Sequence, residues 1–91
     1  MNSNAKGKRG ERELANKLKA YGYETIGLKG IYIECKRVQS LNMDNVLEKC
    51  DKEHKDPDIP VVMHRKNGKE WKVTMYLPDF MHMYDEWKLK N

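Results

Sequence analysis

Glu34 and Lys36 stand two residues apart at the end of the apolar run Ile31-Tyr32-Ile33. Alternation along a strand puts Ile31, Ile33 and Cys35 on one face and Tyr32, Glu34 and Lys36 on the other. A carboxylate and an ammonium thus project from the same side of a predicted core strand. The carboxylate can hold a hard cation such as Mg²⁺ through oxygen. The lysine can orient the water that attacks a phosphate and neutralise the charge that develops on it. Taken alone, the same triplet also describes the wet face of an ordinary strand.

A second carboxylate lies upstream. The segment Lys6 to Tyr21 predicts an amphipathic helix with Leu14, Ala15, Leu18 and Tyr21 as its apolar stripe. Glu11, three residues before Leu14 and seven before Leu18, is placed on the core-facing side. A carboxylate there is costly unless it is paired or holds a metal. The alternative is a frayed first turn, where the helix dipole favours negative charge. Glu13 is placed elsewhere, i,i+4 to Lys17, as an ordinary solvated pair.

Basic residues gather around these carboxylates. Lys6, Lys8, Arg9 and Arg12 surround Glu11, and Lys36 and Arg37 flank Glu34. His64, Arg65, Lys66 and Lys69 cluster at a predicted hairpin tip. This pattern fits binding to a phosphate backbone, which would be sensitive to salt and largely blind to sequence. A solvated surface is the plain alternative for each cluster.

Lys6-Gly7-Lys8-Arg9-Gly10-Glu11-Arg12-Glu13-Leu14, the helix end Tyr21-Gly22-Tyr23 and the run Ile33-Glu34-Cys35-Lys36 together resemble the Holliday junction resolvases of the archaeal and phage type. These belong to the PD-(D/E)xK nuclease superfamily, and the likeness extends over most of the chain. The resemblance implies a restriction-endonuclease-like core in which a mixed sheet is flanked by helices. It implies a Mg²⁺ site, open also to Mn²⁺, made by a helix-1 glutamate, a strand aspartate and a Glu-x-Lys. Glu11 matches the first and Glu34 the third, while Lys36 matches the catalytic lysine. It further implies Lys6, Lys8, Arg9, Arg12, Arg37, His64, Arg65 and Lys66 on DNA, a four-way or otherwise branched substrate, and a homodimer that cuts two strands. The expected compartment is the cytoplasm, that of a bacterial host if a phage encodes the chain.

The aspartate has no match. From Ile26 to Ile33 the sequence holds no acidic residue. Family members carry a glycine-rich basic loop and the aspartate strand here, so roughly fifteen to twenty residues are missing, more than a typical connection holds. Either a loop is omitted at Thr25/Ile26, which the resumption in family register favours, or the metal site has lost a ligand. Glu24 is the one nearby carboxylate that could substitute. A true loss would leave a branched-DNA-binding module without cleavage. A protein-interaction module, using its charge for solubility alone, is the other alternative.

Composition sets bounds. Ninety-one residues make one domain, 1–91, with residues 1–5 expected as a disordered polar tail and a core near the lower limit for independent stability. Lys and Arg number 18 against 14 Asp and Glu, a net charge of +4, which is a moderate basic bias. Cys35 and Cys50 lack metal or disulfide spacing and are expected reduced in the core, and the three histidines are too scattered for a zinc signature. No apolar run is long enough to span a membrane, and no membrane partner is expected.

Local signals predict the secondary structure that carries these side chains. Ser40 or Asn42 can cap a helix running to about His54, with Met43, Val46, Leu47 and Cys50 inward. Lys55-Asp56-Pro57-Asp58 is a turn, and Ile59-Pro60 leads into a strand to Arg65. Asn67-Gly68 predicts a two-residue hairpin, with Val62 opposite Val73 and His64 opposite Trp71. Leu77-Pro78-Asp79 opens a last helix with a stripe of Phe80, Met83, Tyr84 and Trp87, fit for core or a dimer interface. Its last residues, Lys88 to Asn91, are expected to fray. Helix, strands, helix, two strands and helix together predict an α/β or α+β sandwich.

Overall fold

A computed structural model gives the architecture. It describes the backbone of residues 3–24 and 27–91, with side chains from Arg9 onward. The Thr25/Ile26 junction and the side chains of Lys6 and Lys8 lie outside the described residues. The fold is α+β. In chain order the described elements are α1 (Ser3–Lys19), β1 (Ile31–Arg37), α2 (Met43–Glu53), β2 (Ile59–Arg65), β3 (Lys72–Thr74) and α3 (Leu77–Lys90). The three strands form one mixed sheet in the order β1-β2-β3. β1 and β2 are parallel, with Ile31 opposite Ile59 and Arg37 opposite Arg65. β2 and β3 are antiparallel.

Alternation on the sheet builds two cores. Ile31, Ile33 and Cys35 of β1 and Ile59, Val61 and Met63 of β2 face α1, where Leu14 and Leu18 meet them. Tyr32 and Val62 face α2, against Leu47, Cys50, Met43 and Val46. Val62 on the central strand is fully buried, at 0 % exposure. Burial of a valine or leucine here contributes about 1.5–3 kcal/mol. The Cys50 thiol donates toward the Tyr32 and Val61 carbonyls at 3.8 and 3.7 Å. Both cysteines are free; Cys50 is buried and Cys35 partly buried.

Local chemistry fixes the ends. α1 starts earlier than the predicted Lys6 and closes on Gly22, whose φ of 96° only glycine adopts easily. Gly22 N–H donates to the Lys19 carbonyl and Tyr23 N–H to that of Leu18, the paired bonds of a Schellman ending. Asn42 caps α2, accepting from Asn45 N–H at 3.1 Å. Pro60 sits inside β2 without breaking it. Ile59 N–H donates toward β1, to Gly30 O at 2.9 Å, so Pro60's missing donor falls on the β3 side. There β3 has already ended, at Thr74 opposite Val62.

The predicted hairpin register is off by one. Val62 lies opposite Thr74, Met63 opposite Val73 and His64 opposite Lys72. Lys69 N–H does donate to Lys66 O at 3.1 Å across Asn67-Gly68. Gly68 has φ of 71°, but no described non-glycine residue has positive φ. A type I′ turn needs positive φ at both central residues, so the tight hairpin twist is not met. The return strand takes one extra residue before the ladder begins, as in a bulge. That slip turns Trp71 and Met75 onto the α1 core and Tyr76 onto the α2 core.

α3 stands apart from these cores. No residue of it is buried, and Phe80, Met83, Tyr84 and Trp87 are each 41–59 % exposed. The helix persists to Lys90, where fraying was predicted. The radius of gyration is 13.8 Å, against about 12 Å for a compact chain of this length. The other unpartnered feature is the outer edge of β1, which pairs with no strand among the described residues.

Candidate phosphate-facing site at the strand ends

The parallel strands β1 and β2 end together, and their last residues bring the charged groups into one place. On the α2 face, register aligns Lys36, His64 and Lys72 in a row across all three strands. Glu34 lies one step back, and its Oε1 is 3.5 Å from Lys36 Nζ. Both side chains are partly exposed. The two predicted residues therefore do share a face and a contact. His64 Nε2 is 2.8 Å from Thr74 Oγ1. Burial, with Lys72 and Lys66 nearby, lowers the His64 pKa below its ordinary 6.5, so the ring is neutral at pH 7.

On the α1 face the same strand ends carry Arg37 and Arg65, side by side in register. Two adjacent guanidinium groups repel unless an anion lies between them, and Glu13 supplies it. Arg37 Nε donates to both Glu13 oxygens, at 3.2 and 3.1 Å. Arg65 Nη1 donates to Glu13 Oε1, and Arg65 Nε to the Lys69 carbonyl at 2.5 Å. The three side chains are 21–31 % exposed. Burial pushes the Glu13 carboxyl up, but the hydrogen bonds and charges of Arg65 and Arg37 outweigh it, and the net pKa is below the ordinary 4.5.

This corrects the predicted phase of α1. Glu11 is exposed rather than core-facing, and Glu13 is the inward carboxylate. Lys17 pairs with Glu70 at 3.4 Å, not with Glu13. The cause is Gly10, which is buried against β1. A Cβ there would lie 2.8 Å from Arg37 Cβ, so only glycine allows so close a crossing. Gly10 and Leu14, four apart, set the inward line, whereas hydrophobicity counts had centred it between Leu14 and Leu18. Tyr21, assigned to the stripe, is 69 % exposed. An isolated glycine in a helical pattern was the available signal for a close approach.

Glu11 and Glu34 approach β1 from different sides, Glu11 on the α1 side and Glu34 on the α2 face. Both act on Cys35 electrostatically. Burial first, then Glu11, Glu34 and Glu13, push its thiol up to about 11, so it stays protonated. Among the described residues, no group of three or more His, Cys, Asp or Glu side chains gathers as a metal site. Glu34 by its chemistry suits Mg²⁺, which binds through one or two carboxylates and takes its other ligands from water and substrate phosphate.

The remaining predicted contacts rim these groups. Arg9, Arg12 and Lys66 are exposed. A crevice of about 240 Å³ lies between Arg9, Glu13, Arg37, Val38, Gln39 and Asn67. Asn67 N–H donates to Gln39 Oε1 across its wall. A wider cleft of about 600 Å³ continues past Arg65 to Lys17, Lys69 and Trp71. No described helix is long and apolar enough to cross a membrane. Comparison with protein-family models, curated proteins and solved structures finds no match to this chain.

Proposed function

We propose that the chain is a Mg²⁺-dependent endonuclease for branched DNA, of the resolvase kind that its motifs resemble. The observation that carries this reading is the Glu34–Lys36 pair, 3.5 Å apart on one face at the carboxyl end of β1 and bordered by His64 and Lys72. Parallel strands flanked by α1 and α2, with an antiparallel third strand, are compatible with a restriction-endonuclease-like core. Glu34 would hold the cation, with water and substrate phosphate as its other ligands. When bound, Mg²⁺, or Mn²⁺ in its place, would polarise the scissile phosphate and stabilise the leaving oxygen. Lys36 would orient the attacking water and offset the charge that develops on the phosphate. Arg9, Arg12, Arg37, Arg65 and Lys66, together with Lys6 and Lys8, would hold the backbone. His64, neutral at pH 7, would contribute hydrogen bonding rather than charge. Such an enzyme would work in the cytoplasm, that of the host bacterium if a phage encodes it.

Cutting two strands of a junction calls for two copies, and α3 supports this. Its stripe of Phe80, Met83, Tyr84 and Trp87 is nearly symmetric about its midpoint. An antiparallel two-fold pairing would set Phe80 against the second copy's Trp87. Asp79 at one end and Lys90 at the other lie on the same flank, so opposite charges would meet.

The test is cleavage of a labelled four-way junction in Mg²⁺, beside binding to the same junction in EDTA. Glu34→Gln and Lys36→Ala should each lower cleavage by at least about a hundredfold and leave binding largely intact. Cleavage at the wild-type rate by either variant would remove the site assignment. A second reading, binding without cleavage, is favoured by Glu11 and Glu34 lying on opposite sides of β1. It would appear as tight, salt-dependent junction binding with no Mg²⁺-dependent product.

A further inference from the structure

Among the described residues, Glu13 is the one carboxylate gripped by two arginines, whereas sequence periodicity places it on the solvent side. It is held there at the cost of helix propensity, since glycine at position 10 is a poorer helix former than alanine. What that close crossing secures is the meeting of α1 with the ends of β1 and β2. We propose that Glu13 is a positioning residue for a nucleic-acid phosphate, aiming Arg37 into the crevice that Arg9 also lines and Arg65 into the wider cleft that adjoins it at Glu13. This rests on the DNA-binding part of the function proposed above and not on cleavage.

The geometry supports it in three ways. Arg37 spends its Nε on Glu13, which leaves the planar fork of its two terminal nitrogens to face a ligand. Arg65 is fixed at both Nε, by the Lys69 carbonyl, and Nη1, by Glu13, so its orientation is set before anything binds. An arginine already held gives up less rotamer freedom on taking a phosphate. Arg9 and Arg37 against the single carboxylate of Glu13 leave the crevice net positive. Gln39 and Asn67 add polar walls to a space of about 240 Å³, enough for a phosphate and its waters.

Charge counting and positioning by Glu13 lead to opposite outcomes for one substitution. Glu13→Gln removes a negative charge from a DNA-binding surface, which by itself should tighten binding. If Glu13 instead aims the arginines, binding should weaken despite the added net charge. The experiment is fluorescence anisotropy on a labelled four-way junction in EDTA, over 50–200 mM salt, with thermal melts of every variant. Glu13→Gln is expected to weaken binding by about tenfold and to reduce the salt slope by roughly one, as for a lost phosphate contact. Arg37→Lys and Arg65→Lys, which keep charge and lose the fork, should weaken binding similarly in folded protein. Combining either with Glu13→Gln should add little further loss. Should Glu13→Gln fail to fold, the two lysine variants decide: unchanged affinity and slope in both overturns the proposal. Equal or tighter binding by folded Glu13→Gln also overturns it, while leaving the DNA reading in place. Absence of wild-type binding at low salt removes the DNA reading itself, and this proposal with it.

Discussion

Glu13 and His64 are held in charge states that the unfolded chain would not favour to the same degree. Both have lowered pKa values in the fold, Glu13 through its two arginines against the pull of burial and His64 through burial with Lys72 and Lys66 nearby. The sign is the same for both. Each contributes stability that is present above its unfolded pKa and is lost as pH falls through its folded value. Stability should therefore decline in two stages on acidification, first below about pH 6.5 and again below about pH 4.5. Melting temperature followed from pH 8 to 3.5 checks this. His64→Gln should flatten the upper stage and leave the lower one. A decline in His64→Gln identical to wild type would remove His64 as its source. Glu34 and Lys36 were legible, because strand alternation needs no knowledge of the partner. Glu11 and Glu13 were exchanged, because the phase of a helix is set by what it packs against. Gly10, invisible to a count of apolar side chains, sets it here.

Elements were easier to read than their pairing. Asn42 as cap, Asn67-Gly68 as turn and Pro78 near the start of α3 each act within a few residues, and each stands where expected. The β2–β3 register depends on how the turn's twist meets the strands and on which core Trp71 joins, which no local signal carries. α3 was read as core or interface, and as a lone helix it has no core to enter. Isolated helices of this length are marginal in water, so its order should depend on a partner. In the two-fold pairing proposed for it, Phe80→Ser combined with Trp87→Ser should shift the protein from twice its 10.8 kDa chain mass to a single chain in sedimentation equilibrium. The double variant should also lose helical circular dichroism at micromolar concentration. A wild-type protein that sediments as a single chain at all concentrations would rule out the pairing.

The whole molecule is a thin sheet with a helix on each face and its chemistry concentrated where β1 and β2 end. Its central strand pairs on both edges, whereas β1, which carries Glu34 and Lys36, pairs with β2 alone among the described strands. Gly30 O accepts from Ile59, so the backbone groups of Tyr32, Glu34 and Lys36 point inward to β2. Those of Ile33, Cys35 and Arg37 point outward from the sheet. Amide hydrogen exchange along β1 should therefore alternate, slow at residues 32, 34 and 36 and fast at 33, 35 and 37. Any strand that docks on that edge, from this chain or another, would make the odd-numbered amides slow as well. The strand that bears the proposed cleavage pair is thus its own reporter, since its exchange pattern counts how many neighbours it has.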